Sequence, residues 1–162
     1  MSRLTTDRTL ACTALLCVAG LGIALISQYV FDMQPCAWCV LQRMILVVIA
    51  AGCVLGLVLR RIPGARALAA LVTCLLGIAG MTAAWYQYTV ASHMFSCDLT
   101  FADRFVAGSG LDAALPQVFG IYATCMDARV SVLGIEYALW ALGLFAVCTL
   151  LGLIGLLRPG RR

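Results

Sequence analysis

Residues 34–43 read Gln-Pro-Cys-Ala-Trp-Cys-Val-Leu-Gln-Arg and stand where a short polar turn passes into a long apolar run. Cys36 and Cys39 have the Cys-x-x-Cys spacing, which serves both redox-active dithiols and metal sites. Arg43 follows four residues after Cys39, at the beginning of the apolar run. A close thiol pair beside a cation at the edge of an apolar segment indicates a redox centre at a membrane surface.

The composition of the chain indicates an integral membrane protein. Of its 162 residues, 64% are hydrophobic and 11% are charged, whereas a soluble domain is about half apolar and a quarter charged. Each of four apolar runs is long enough to cross a hydrocarbon core of about 30 Å, where backbone groups must bond within their own segment. We therefore expect an all-α integral membrane protein, a four-transmembrane-helix bundle in a single domain 1–162, with spans at about 10–30, 40–59, 67–91 and 132–157.

The basic residues are distributed unequally between the two ends of these spans. All eleven are arginines, and eight lie in the termini or between the second and third spans: Arg3, Arg8, Arg60, Arg61, Arg66, Arg158, Arg161 and Arg162. By the positive-inside rule, both termini face the cytoplasm, and the loops 31–39 and 92–131 face outward. No soluble domain carries a basic face, so no nucleic-acid partner is expected.

The nine cysteines fall into two groups. Five lie inside apolar runs, where cysteine usually behaves as a small hydrophobic residue: Cys12, Cys17, Cys53, Cys74 and Cys148. The other four, Cys36, Cys39, Cys97 and Cys125, all lie on the outward side, where an oxidising compartment preserves disulfides. Four cysteines allow three pairings. A four-cysteine metal site is the alternative, but Cys97 and Cys125 have no paired ligand spacing, and we expect no metal.

The Cys-x-x-Cys pair is suited to the start of the second helix. Pro35 fits the first turn of a helix, where its missing N–H costs nothing, and a start there would place Cys36 and Cys39 on one face. Unpaired N–H groups and the helix dipole favour a thiolate at this position. Arg43 follows Cys39 on the same face. Its guanidinium either reaches back to the lipid head groups, or supports a thiolate at Cys39 and holds an oxygen of a lipid-soluble acceptor.

The loop 92–131 is the one long polar segment, and its length suggests function or docking. Glu136, just after it, faces either a cavity or the membrane interface, and His93 has no assigned role. Five apolar residues of the loop suit a short helix on the membrane, broken by Pro116, with ordinary loop packing as the equal alternative: Leu111, Ala114, Leu115, Val118 and Phe119.

These residues form a specific combination of motifs. The Pro-Cys-x-x-Cys-x-x-x-Arg element at 35–43 stands with a second cysteine pair in the second outer loop. Leu-Pro-Gln-Val-Phe at 115–119 precedes Cys125, and Leu-Gly-Ile-Glu at 133–136 precedes Trp140. Over essentially its whole length the chain resembles the DsbB family, the membrane enzymes that reoxidise the periplasmic thiol oxidase DsbA.

The resemblance implies a quinone-dependent protein disulfide oxidoreductase of the bacterial inner membrane, with redox disulfides Cys36–Cys39 and Cys97–Cys125. A reduced DsbA-like partner would attack Cys97, whose disulfide partner is Cys125. Electrons would then pass to the Cys36–Cys39 pair through a transient Cys36–Cys125 bond. Cys39 would reduce a bound quinone, either ubiquinone or menaquinone, and Arg43 would bind that quinone.

The chain departs from the family pattern in one place. Family members often carry a histidine late in the third span, where this chain has Tyr-Gln-Tyr at 86–88.

Several alternatives to this function remain open. A related enzyme similar to vitamin K epoxide reductase would work in the opposite direction, and a paralogue would serve a dedicated partner. A membrane metal-binding or transport protein would use the same thiols as ligands. A purely structural protein would leave the four outward cysteines without a role.

Overall fold

Four long helices and three short ones make up most of the described chain. The computed structural model describes residues 2–94 and 99–157, with side chains from residue 6 onward. In chain order the elements are α1 (Ser2–Val30), α2 (Ala37–Val58), α3 (Ala65–Thr89), a 3₁₀ turn (Ala91–His93), α4 (Phe101–Ser109), α5 (Leu111–Ala114), α6 (Pro116–Phe119), β1 (Ser131–Val132), β2 (Ile135–Glu136) and α7 (Tyr137–Leu157). Helices α1, α2, α3 and α7 are long and apolar enough to span a membrane, which confirms the predicted four-helix membrane bundle.

The long helices pack in a ring in which α1 and α3 are diagonally opposite. The neighbours are α1–α2, α2–α3, α3–α7 and α7–α1, and α3–α7 is the largest interface. The connection between α1 and α2 lies at the same end of the bundle as the long connection between α3 and α7, and we call this the loop end. Fully or almost fully buried side chains fill the bundle core: Leu10, Cys17, Ile49, Cys53, Phe145 and Cys148.

Glycines allow the long helices to approach closely. A Cβ on Gly56 of α2 would lie 2.5 Å from the Cβ of Ala69 on α3. A Cβ on Gly80 of α3 would overlap the ring of Phe145, a fully buried side chain of α7. Lipid provides no hydrophobic force between helices, so close packing at such small residues stabilises the bundle.

Replacing Gly80 with alanine should therefore destabilise the bundle. The added methyl group would push against Phe145, and overpacking of this kind costs about 1–3 kcal/mol. Gly143→Ala is the matched control, because a Cβ at Gly143 meets nothing within 4 Å and both changes improve helix propensity equally. Thermal unfolding of the two detergent-solubilised variants measures the difference. Equal stability would show that the α3–α7 interface absorbs the methyl group.

The long loop is folded over the loop end of the bundle. Helix α4 begins with a capping box, in which the Thr100 backbone N–H donates to Asp103 Oδ2 at 2.8 Å. Pro116 begins α6, which confirms that the apolar pattern is broken there into two short helices. That these helices lie on the membrane stays a prediction. Buried side chains of the loop pack against the start of α2: Ala102, Val106 and Phe119.

A small antiparallel hairpin of β1 and β2 precedes α7 and is an addition to the expected bundle. The fourth helix begins at Tyr137, so the expected start of the fourth span at 132 is corrected. The two turn residues Leu133 and Gly134 have φ values of 55° and 79°, which is typical of a type I′ hairpin turn. Val132, Leu133 and Ile135 of the hairpin are apolar and stand directly before the helix, so the apolar run was predicted to begin there.

Candidate redox site at the loop end

Cys36 and Cys39 lie side by side at the start of α2. The helix begins at Ala37 and Cys36 is its N-cap residue, so Pro35 precedes the helix and does not occupy its first turn as expected. The sulfur of Cys39, in the first turn, lies 3.1 Å from the sulfur of Cys36. A disulfide between them requires only a small movement, because bonded sulfur atoms are about 2 Å apart.

Cys36 also reaches the second loop. Its side chain is completely buried, and its thiol hydrogen-bonds with Cys39. Cys125 of the long loop packs against the same cluster, close enough to interact with the Cys36 thiol. The backbone fixes this arrangement, because the carbonyl oxygen of Pro35 accepts a hydrogen bond from the N–H of Tyr122 at 3.0 Å. Cys36 therefore lies between one thiol of its own helix and one thiol of the long loop.

Reduced Cys36 should resist alkylation at neutral pH. The pKa of Cys36 is held well above its ordinary value. The largest cause is hydrogen bonding with Cys125, followed by hydrogen bonding with Cys39 and by burial. The thiol therefore keeps its proton, whereas alkylating reagents attack the thiolate. Pulsed alkylation with mass spectrometry should show slow labelling that accelerates as the pH is raised, and faster labelling in Cys125→Ser. Equal rates in both proteins would contradict the hydrogen bond.

The sulfur of Cys39 accepts a hydrogen bond from α3. Gln87 Nε2 donates to it at 3.2 Å, and Gln42 Nε2 donates to Gln87 Oε1 at 2.7 Å, which fixes the orientation of the Gln87 amide. A donor aimed at the sulfur suits a sulfur that becomes negatively charged during exchange. No role was predicted for Gln87 from the sequence. A signal was present, because an amide inside an apolar run is costly unless it is bonded.

Arg43 is buried and bound to protein groups. Only 5% of its surface is exposed. Its Nη1 donates to Gln28 Oε1 at 2.7 Å and to the carbonyl oxygen of Val118 at 2.9 Å, and its Nη2 donates to the carbonyl oxygen of Ala24 at 3.2 Å. The guanidinium thus joins α1 to α6 and does not extend to the lipid head groups. It lies close enough to Cys39 to interact with charge on that sulfur.

Known proteins are similar to this chain over nearly its whole length. The family described as Disulfide bond formation protein DsbB matches residues 6–155. The chain belongs to the DsbB family. It is therefore a multi-pass membrane protein of disulfide bond formation, and the family implies a disulfide oxidoreductase.

Individual relatives agree with this assignment. Disulfide bond formation protein B 1 of Pseudomonas entomophila is 32% identical over 165 residues, covering 99% of this chain and 96% of its own. The protein of the same name from Pseudomonas putida is 33% identical over 166 residues, with the same coverage of 99% and 96%. Disulfide bond formation protein B of Cupriavidus metallidurans is 28% identical over 146 residues, covering 90% and 89%.

Among the described residues, the cysteines in the bundle core of this DsbB family member are not part of the contact at Cys36. Cys97 lies outside the described residues, so its pairing with Cys125 stays a prediction. Cys17 and Cys148 lie in the bundle core, with sulfur atoms 3.8 Å apart, and behave there as small buried side chains. In the described part of the chain, Cys125 is the loop cysteine that meets the start of α2.

Glu136 pairs with a residue of the long loop. Arg129 Nε donates to its Oε1 at 2.8 Å. Both side chains line a small cleft together with Cys125 and Gln87, beside the end of α3. Of the two alternatives for Glu136, the structure therefore favours the one in which it faces a cavity.

Trp38 covers the cysteine pair from the loop side. Its ring centroid lies 4.7 Å from that of Tyr86 and 6.5 Å from that of Phe101, so α2, α3 and α4 meet at this residue. The side chain is 8% exposed, and its Nε1 has no hydrogen-bond partner among the described residues. This aromatic contact belongs to the same buried cluster as Cys36.

Proposed function

We propose that this DsbB family member oxidises a periplasmic thiol oxidase of the DsbA type and passes the electrons to a membrane quinone. The observation that carries the proposal is the contact of Cys36 with both Cys39 and Cys125. One thiol within reach of two others provides a path by which a disulfide moves between two pairs through thiol–disulfide exchange. The redox disulfides are Cys36–Cys39 and Cys97–Cys125.

Four exchange steps carry the electrons inward. A thiolate of the reduced partner attacks Cys97, forms a mixed disulfide and releases Cys125. Cys125 attacks Cys36, which forms Cys36–Cys125 and releases Cys39. The second thiol of the partner attacks the mixed disulfide, so the oxidised partner leaves and Cys97 is freed. Cys97 then attacks Cys125, which restores the loop disulfide and leaves Cys36 and Cys39 reduced by two electrons.

The residues around Cys39 fit the head group of a quinone. The three hydrogen bonds of Arg43 use three of the five N–H hydrogens of a guanidinium, so two remain for a ligand oxygen. Gln87 adds an oriented amide next to the Cys39 sulfur. Arg43 and Gln87 would hold an oxygen of a ubiquinone or menaquinone, which would take up two electrons and two protons as Cys36 and Cys39 return to the disulfide.

The bacterial inner membrane, with both termini in the cytoplasm, is the location that supports this chemistry. Arg60, Arg61 and Arg66 lie at the end of the bundle opposite to Cys36, as the positive-inside rule requires if the loop end faces the periplasm. In that orientation the cysteines meet a periplasmic partner, and the apolar helices give access to quinone in the bilayer.

Turnover with purified components tests the proposal. The full chain is mixed with a reduced DsbA-type oxidase and ubiquinone or menaquinone, and both the loss of partner thiols and the loss of quinone absorbance are followed. We expect one quinone reduced for each partner dithiol oxidised, and two disulfides in the resting protein by non-reducing peptide mapping. Electron flow only from quinol to partner, or four free thiols with a bound metal, would contradict the proposal.

A further inference from the structure

The hairpin of β1 and β2 has one apolar and one polar face. Cross-strand partners share a face of a two-stranded sheet. Val132 is opposite Ile135 on one face, and Ser131 is opposite Glu136 on the other. The polar face is bound to the protein through the ion pair of Glu136 with Arg129. The apolar face is partly uncovered, since Ile135 is 44% exposed and Val132 is half-buried.

The turn of the hairpin adds a further apolar side chain to this face of the molecule. Leu133 is 88% exposed and has a φ of 55°, in the left-handed region. The first position of a type I′ turn favours asparagine, aspartate or glycine, and leucine is unfavourable there. Neither the backbone conformation nor burial among the described residues accounts for a leucine at this position.

Two hydrogen bonds hold the hairpin against the first turn of α7. The Trp140 indole N–H donates to the carbonyl oxygen of Val132 at 3.3 Å, and the Tyr137 N–H donates to that of Val130 at 2.9 Å. Helix α7 has 21 residues, which corresponds to about 31 Å and matches the hydrocarbon core. The apolar face is therefore continuous with the lipid-facing surface of α7, where Trp140 is 47% exposed and tryptophan favours the membrane interface.

We propose that this hairpin is a membrane anchor. Its apolar face and Leu133 enter the boundary between lipid head groups and acyl chains beside α7. The polar face stays outside the lipid, where Ser131 is exposed and Arg129 Nε donates to Glu136 Oε1 at 2.8 Å. Because Arg129 follows Cys125 by four residues, the anchor holds the segment that carries Cys125 at the membrane surface and against Cys36.

Site-specific fluorescence in lipid vesicles tests the anchor. The same environment-sensitive fluorescent amino acid replaces Ile135 in one variant and Ser131 in another, so that the two probes lie on opposite faces of the hairpin. Each protein is reconstituted in phosphatidylcholine vesicles with or without brominated acyl chains, and iodide serves as the aqueous quencher. We expect quenching by brominated lipid at 135 and not at 131, and iodide quenching about fivefold weaker at 135 than at 131.

Leu133→Asn in the background of the probe at 135 completes the test. Asparagine fits the turn better than leucine, so the hairpin persists while its apolar tip is lost. We expect lipid quenching at 135 to disappear and iodide quenching to rise to the level seen at 131, with an unchanged circular dichroism spectrum. Equal iodide quenching at both positions before this change would overturn the proposal. Shielding of the probe at 135 only after addition of a reduced thiol oxidase would also overturn it, and would identify a protein as the occupant.

Discussion

Cys36→Ser should stop quinone reduction by the reduced partner while the bundle stays folded. Serine is close in size to cysteine, but it removes the thiol that contacts both Cys39 and Cys125. With no path between the two pairs, turnover should fall at least about 1,000-fold, as for catalytic groups that act as one unit. Quinone absorbance with purified protein measures this loss. Cys12→Ser is the control, because Cys12 lies on the exposed side of α1.

The single and double variants separate a shared path from independent roles. If Cys36 and Cys39 act as a unit, the double variant should be no less active than either single variant. In Cys39→Ser, a free Cys36 remains beside Cys125, so a Cys36–Cys125 disulfide should accumulate and appear in non-reducing peptide maps. Full quinone reduction by either single variant would rule out the proposed electron path.

Arg43→Ala should reduce quinone turnover by about 100-fold and leave exchange between the partner and the loop disulfide intact. Loss of one donor to developing negative charge costs about 2.7–4 kcal/mol in a water-excluded site. Steady-state kinetics at varied quinone concentration should show the loss, and trapping of the mixed disulfide between Cys97 and the partner should be unchanged.

Gln28→Leu is the matched control for Arg43, because it removes one hydrogen-bond partner of the guanidinium and leaves the cation in place. Both variants should unfold at lower temperature, since each removes hydrogen bonding between Arg43 and α1. Only Arg43→Ala should lose most of its quinone turnover. An equal loss of turnover in the two variants would show that Arg43 acts only by holding α1 and α6 together.

The four spans were predictable because they depend on composition alone. A run of about 20 apolar residues has few structures available in lipid, so hydropathy located α1, α2, α3 and α7. The hairpin before α7 was not predictable in this way. Its decisive feature is the left-handed backbone conformation of Leu133. Leucine rarely adopts this conformation, and the sequence does not indicate it.

The candidate site likewise has a part that was predictable from the sequence and a part that was not. Cys36 and Cys39 were expected to lie together because two residues separate them, which places them within one helix turn, and local geometry decides such a distance. The partners of Arg43 and Cys39 depend on helix packing. Gln28 of α1 and Gln87 of α3 come from distant parts of the chain, and only their polarity within apolar runs marked them as bonded side chains.

The backbone hydrogen bond from Tyr122 to Pro35 divides the long loop into a part whose number of residues is fixed and a part whose number of residues can vary. Tyr122 stands three residues before Cys125, so one residue inserted between them would turn the sulfur away from Cys36. A Cβ added at Gly108 or Gly110, at the end of α4, meets nothing within 4 Å. An epitope or a fluorescent reporter should therefore be tolerated after α4, within the same loop whose segment from Tyr122 to Cys125 admits no change in residue count.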